Sequence, residues 1–289
     1  MIPIFDLKLD GNELKYVSEC IKAGWISGRG SYINKFEEGF AKYCGRKYGI
    51  TTNNGTTALH LALASLGIKQ GDEVIIPTFT MGAVAFAVKY VGAKLIFVDS
   101  ERDTWNIDVN KIKEKITNKT KAIIAVHTYG HPCDMDPIVN LAKEYNLYII
   151  EDCAEAHGAE YKGKKVGCLS DIACFSFFAN KIITTGEGGM VLTDNEKIAE
   201  KAMSLKNMAF GKENKFLHTA VGFNYRMPNI QAAIGLAQLE QIEKLIEKRR
   251  RNAQLYNSLL KDMKPAMKVM PKVMKKAAAK KVVKKAYKK

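Results

Sequence analysis

Lys181 stands in a stretch nearly free of charge, Ser170–Met190 (SDIACFSFFANKIITTGEGGM), after an apolar run and before a Gly-rich turn. Such surroundings disfavour the ammonium form of an amine and bring it towards nucleophilic use. A second segment, Thr52–His60 (TNNGTTALH), puts Gly55 and Thr56 where a strand gives way to a helix, so that helix N–H groups and a hydroxyl converge as phosphate binding requires. A third, Ile149–His157 (IIEDCAEAH), ends an apolar run on Asp152, a carboxylate able to keep a ring nitrogen protonated. A lysine, a phosphate cradle and a carboxylate are the three contacts that pyridoxal phosphate needs.

The elements that must position these residues read as α/β. Short apolar runs end abruptly on polar or turn residues: Val74–Ile76 before Pro77, Leu95–Val98 before Asp99, Ile123–Val126, and Leu147–Ile150 before Glu151 and Asp152. They are continuous rather than alternating, which predicts strands buried on both faces. Helical patterns lie between them over Thr56–Leu66, Gly82–Tyr90 and Met135–Tyr145, giving the β-α-β rhythm of a mostly parallel sheet. Ligands of such sheets bind beyond the carboxyl ends of the strands, which is where Asp152 falls. A capped helix is predicted over Asp194–Leu205, and one long helix is predicted from Pro228.

The 289 residues, 47% hydrophobic and 26% charged, suit a large globular domain with a smaller companion and exclude general disorder. Eleven of the fifteen net positive charges are lysines in 264–289, a stretch with no acid, so four remain for the rest of the chain. This Lys/Ala/Met-rich segment, 263–289, is expected to be a disordered basic tail. The sharper alternative is an arm attracted to nucleic acid or an anionic membrane. Neither a membrane span nor a signal peptide is recognisable, which makes a cytoplasmic location the expectation. The six cysteines are scattered and expected to be reduced and mostly buried, and the neighbours His131 and Cys133 lack the second pair a zinc site requires.

Seven ordered motifs carry a resemblance: Gly28-Arg29-Gly30, Asn54–Leu59, Pro77–Thr80, His127–Pro132, Glu151–Ala154, Ser176-Phe177 with Lys181, and Asn224–Met227. Between about Ile2 and Leu260 the sequence resembles the DegT/DnrJ/EryC1/StrS sugar aminotransferases. The resemblance implies PLP fold type I, with an aspartate aminotransferase-like large domain. It also implies that Lys181 forms the Schiff base and moves protons, that Asp152 pairs with the pyridine nitrogen, and that Gly55, Thr56 and Ser176 hold the phosphate. Met81 takes the position that stacks on the ring, and Glu155 the place of a Gln or His found in other branches. Asn224 resembles an asparagine that reaches the phosphate from the neighbouring subunit of a homodimer. Arg226 and His157 are candidates for the sugar site, His157 equally for a structural histidine.

Within the family, the strings Pro77–Met81 and Asn180–Met190 look most like the branch that aminates a GDP-linked 4-keto-6-deoxymannose with glutamate as donor. Related sugar 3-dehydratases carry histidine where this chain has Lys181, so amino transfer is the expected reaction. Family members continue past the point where the likeness ends near Leu260, which predicts an incomplete small domain. The expected organisation is an N-terminal segment contributing to the small domain (1–30), a cofactor domain (31–227), a long helix (228–262) and the basic tail (263–289). Two other readings stand beside this one. One is a truncated, non-catalytic PLP-fold protein with a polycationic tail, and the other an aminotransferase acting on a UDP- or dTDP-linked 4-keto sugar.

Overall fold

Successive side chains of a strand point to opposite faces of a sheet, so a continuous apolar run can serve two cores at once. The computed structural model, which describes residues 6–211, 216–218 and 220–261, shows this arrangement. Its strands are β1 (Tyr48–Thr52), β2 (Glu73–Pro77), β3 (Lys94–Val98), β4 (Thr120–Val126), β5 (Tyr148–Asp152), β6 (Glu160–Tyr161), β7 (Lys164–Lys165), β8 (Ile172–Ser176) and β9 (Gly189–Thr193). Seven of them form one sheet in the order β1-β9-β8-β5-β4-β2-β3, while β6 and β7 pair separately. The neighbours from β8 to β3 are parallel, and β9 runs antiparallel to both β8 and β1.

The helices are α1 (Glu13–Lys22), α2 (Ser31–Tyr43), α3 (Gly55–Ser65), α4 (Gly82–Tyr90), α5 (Met135–Tyr145), α6 (Glu196–Lys206), α7 (Asn229–Leu239) and α8 (Ile242–Leu260). On one face of the sheet Val74, Ile76, Ile124, Ile150 and Cys174 pack with α3, α4 and α6. On the other, Ile75, Ile123 and Ile149 meet α5, whereas Phe175, Met190 and Leu192 meet α2 and α7. Residues one apart in a strand thus feed different cores, which accounts for the unbroken apolar runs. The edge strand β3 departs from the expectation of burial on both faces, with Lys94 and Phe97 exposed.

The most aromatic part of the second core centres on Phe40, fully buried and edge-on to Phe175 and Phe177 at 4.9 and 5.1 Å between centroids. Deeper in the molecule, Lys206 of α6 reaches Glu37 of α2 at 2.8 Å and donates to the Thr51 carbonyl of β1. This buried pair has a hydrogen-bonding partner beyond itself, the condition under which buried charges are tolerated. Arg46 fastens β1 to the approach of β8 by donating to the Gly167 and Ser170 carbonyls and to Asp194.

The long helix predicted from Pro228 is in fact two. Pro228 precedes the first turn instead of sitting in it, α7 ends at Leu239, and α8 starts at Ile242. The break coincides with Glu240, whose carboxylate accepts from Asn12 Nδ2 (2.7 Å) and Tyr16 Oη (2.6 Å) and ties the corner to the N-terminal segment. Two compact units divide the chain, Met1–Ile246 and Glu247–Lys289. The first contains the sheet and its covering helices, α1 among them; in the second the described residues are helical as far as Leu260. The basic stretch 263–289 lies outside the described residues. Among the described residues no helix is long and apolar enough to cross a membrane. All six cysteines are free; five are buried and Cys168 is half-buried.

Candidate active site

The carboxyl ends of the parallel strands open into a cleft of about 700 Å³, lined by Val126 and His127 after β4, Asp152 ending β5, Ser176 ending β8, and the first residues of α3. Three of the predicted contacts meet here for separate local reasons. Asn54 caps α3 by accepting from the Thr57 N–H (2.9 Å), and Thr57 Oγ1 accepts in return from the Asn54 N–H (3.2 Å), completing a capping box. The cap leaves the N–H groups of Gly55 and Thr56, which have no acceptor within the helix, at the cleft wall. Gly55 is required for the approach: a Cβ there would lie 2.8 Å from Ser176 Cβ and 3.2 Å from its Oγ. Helix N-terminus and serine hydroxyl therefore form one concave, anion-attracting surface.

Asp152 is buried at the cleft wall, and burial pushes its carboxyl above the usual carboxylate range even though the Ala154 N–H (3.0 Å) and Lys181 favour the ionised form. Behind it lies a network that the sequence did not reveal. The Cys133 N–H donates to His127 Nδ1 (3.1 Å), which leaves the ring proton on Nε2, 3.1 Å from Glu151 Oε1. Burial would push the Glu151 carboxyl up, but His127, the Gly167 and Leu169 N–H groups and Ser170 Oγ outweigh it and hold it below the usual range. His127, Glu151 and Cys153 also have the spacing of a three-residue metal cluster, yet the hydrogen bonds of His127 and Glu151 already account for their buried polar atoms.

Lys181 lies in the loop between β8 and β9, its Nζ 3.6 Å from Glu155 Oε1. The other Glu155 oxygen accepts from the Tyr129 N–H at 3.0 Å, so this carboxylate spans from the lysine to the turn after β4. Met81, highly exposed, caps α4 and lines the same cleft.

Three candidate residues are placed elsewhere. His157 is absent from the cleft wall and buried among Phe40, Phe175 and Phe177 at 6.1, 5.4 and 5.7 Å, the surroundings of a core histidine. Asn224 accepts from Arg226 Nε at 2.9 Å, and Arg226 lines a separate groove with Gly28, Arg29 and Lys206. Residues that sequence reasoning passed over, such as Phe79, Tyr129, Asn180 and Glu187, complete the cleft. Phe79 and Tyr129 lie inside recognised motifs, but only folding reveals which members of a motif face the ligand.

The profile of the DegT/DnrJ/EryC1/StrS aminotransferase family matches residues 8–287. The chain belongs to this family. It is 54% identical over 255 residues to the GDP-perosamine synthase of Escherichia coli O157:H7, covering 88% of this chain and 70% of that one. The GDP-perosamine synthase of Vibrio cholerae is 48% identical over 260 residues, covering 90% and 71%. Among solved structures, an aminotransferase from Psychrobacter cryohalolentis superposes with a TM-score of 0.84 at 39% identity, covering 90% of this chain and 68% of the other. A GDP-4-keto-6-deoxymannose 3-dehydratase variant with bound GDP-perosamine gives 0.85 at 29%, covering 91% and 74%. The fold is accordingly that of the PLP-dependent aminotransferases, and pyridoxal phosphate is the cofactor of this family member. The residues present fit it: a glycine that admits the serine to a helix N-terminus, a buried carboxylate suited to a protonated ring nitrogen, and a lysine in the same cleft.

Proposed function

We propose that this chain is a PLP-dependent 4-aminotransferase that moves the amino group of glutamate to the keto carbon of a GDP-linked 4-keto-6-deoxyhexose, GDP-4-keto-6-deoxymannose. The observation that carries the reading is the meeting of Lys181, Asp152 and the Gly55–Ser176 cradle in one cleft. The phosphate is assigned to the N–H groups of Gly55 and Thr56 with Ser176 Oγ, and the ring nitrogen to Asp152. Bound there, the cofactor supplies a reactive aldehyde and a ring that acts as an electron sink.

The remaining steps fall to side chains. Asp152, buried and otherwise costly as a free charge, holds a proton on the ring nitrogen because the resulting ion pair removes that cost. With the cofactor bound, Lys181 Nζ would move the α-proton of the amino donor to the former aldehyde carbon of the cofactor, and in the second half-reaction would move one from there to the former keto carbon of the sugar. Glu155, anchored on the Tyr129 N–H, directs Nζ into the cleft. Met81 packs a polarisable thioether against the ring. Asn224 and Arg226, outside their own chain's cleft, are assigned to the site of a partner subunit in a homodimer.

Support for the GDP sugar comes from the identity to two GDP-perosamine synthases. Incubation of the PLP-loaded protein with glutamate and, separately, the GDP-, UDP- and dTDP-linked 4-keto sugars, followed by mass spectrometry, tests the proposal. Aminated GDP-sugar with stoichiometric 2-oxoglutarate is expected. Turnover of only a UDP or dTDP substrate would reassign the nucleotide, and no turnover despite bound cofactor would leave the non-catalytic reading.

A further inference from the structure

Three aromatic side chains stand in solvent at one rim of the cleft: Phe79, Trp105 and Tyr129, exposed by 38, 50 and 77%. Phe79 lies 5.1 Å from Trp105 and 6.2 Å from Tyr129 between centroids, with planes inclined by 46° and 61°. The rings therefore flank one another at an angle and leave aromatic faces uncovered. Large exposed apolar groups grouped beside a pocket mark a ligand or partner surface far more often than scattered ones.

The backbone shows that the grouping is held in place. Trp105 and Tyr129 have φ of +64° and +52°, a region costly for side chains of their size. Trp105 sits near the tip of a small hairpin, in which Ser100 bridges Ile107 and the Glu101 N–H donates to the Asn106 carbonyl. Asn106, almost completely buried, fastens that tip to the Tyr129 turn: its Nδ2 donates to the His131 and Pro132 carbonyls (3.0 and 3.1 Å), and its Oδ1 accepts from the Thr128 N–H (3.0 Å). Two loops far apart in sequence are thus locked together to present a tryptophan and a tyrosine beside Phe79, and Phe79 and Tyr129 also line the cleft that holds Lys181.

We propose that Phe79, Trp105 and Tyr129 form the stacking platform for the nucleobase of the substrate, an inference that rests on the nucleotide-sugar reading above. A nucleotide sugar whose keto carbon reaches Lys181 must carry its base outwards across a diphosphate, towards the rim. A planar base is the ligand that exposed, tilted aromatic faces recognise, since every base offers a π-face. The Tyr129 N–H contact with Glu155 joins the platform to the carboxylate nearest Lys181, so base and reacting carbon are registered by one rigid turn.

The chain has two tryptophans, so Trp25→Phe leaves Trp105 as the reporter. Titration of the PLP-loaded Trp25→Phe protein with GDP is expected to quench its fluorescence saturably, whereas mannose 1-phosphate, which lacks a base, leaves it unchanged. Phe79→Leu and Tyr129→Leu, made singly in that background, are expected to weaken GDP binding by about tenfold. Quenching by both ligands alike, or GDP binding by calorimetry with a silent Trp105, would overturn the platform. So would a Trp105 already shielded from acrylamide before ligand is added, because a second copy of the chain would then occupy the face. Turnover of a GDP sugar with silent Trp105 removes the platform and leaves the transaminase reading; quenching by GDP without turnover of any nucleotide sugar does the reverse.

Discussion

At the scale of single residues, Asp152 connects stability to function. Its carboxyl is raised by burial, so the folded apoprotein binds a proton there at pH values where the unfolded chain has released it. The stability associated with that proton is complete below the ordinary carboxylate range and is lost as pH rises through the raised value. Asp152→Asn removes the buried charge. Thermal denaturation of the apo forms is therefore expected to show the variant more stable than the parent at neutral pH, with the gap closing on acidification. In the same variant PLP binds more weakly, because the ring nitrogen has lost its counter-charge. A variant less stable than the parent at neutral pH would show that Asp152 is satisfied without the cofactor. His127 and Glu151 support it from behind; both head motifs noted in the sequence, but their role was not legible there, because a buried histidine is recognisable only when its partners are in place.

At the scale of elements, α3 turns a local sequence signal into a binding surface. Asn54 and Thr57 satisfy each other's backbone, and the N–H groups that remain face the cleft. Replacing Asn54 by Ala removes the cap, which is worth about 1 kcal/mol and lowers the melting temperature by about 2–4 °C in scanning calorimetry. Because the cap orients the helix start, PLP affinity is expected to fall with it; unchanged affinity would separate the cap from the site. Elements with a strong local signal were legible in the sequence: Gly82–Tyr90 and Met135–Tyr145 are helices over the residues anticipated, and the strands lie where the apolar runs do. The corner between α7 and α8 was not, since contacts from Asn12 and Tyr16 set it, more than two hundred residues away. Exposure of Phe97 on β3 also depends on strand order, which no local pattern encodes.

At the scale of the whole molecule, the carboxyl ends of the parallel strands bring Lys181, Asp152 and Gly55 to one cleft, which explains why these three were legible as a set. Asp152 ends β5, Lys181 follows β8 and Gly55 follows β1, so each lies at or beyond the carboxyl end of a strand, the common address of ligands in such sheets. Trp105 and Asn106 had no such address, and their role comes from a loop-to-loop contact. Asn224 and Arg226 lie away from their own chain's cleft, which gives the homodimer proposal a sharp consequence. Lys181→Ala and Asn224→Ala are each expected to abolish activity, and mixing them after subunit exchange to restore about a quarter of it, since half the dimers would carry one intact site. Absence of recovery, with exchange verified by mass spectrometry, would place Asn224 outside the partner's site.

All of this depends on one lysine in a chain with forty-five lysines and arginines. Borohydride reduction of the PLP-loaded full-length protein, followed by digestion and mass spectrometry, identifies which amine holds the cofactor. A single phosphopyridoxyl adduct on the peptide containing Lys181, absent from Lys181→Ala, is the expected result; a stable adduct on a different lysine, or retained cofactor with no adduct at all, would contradict the site described here.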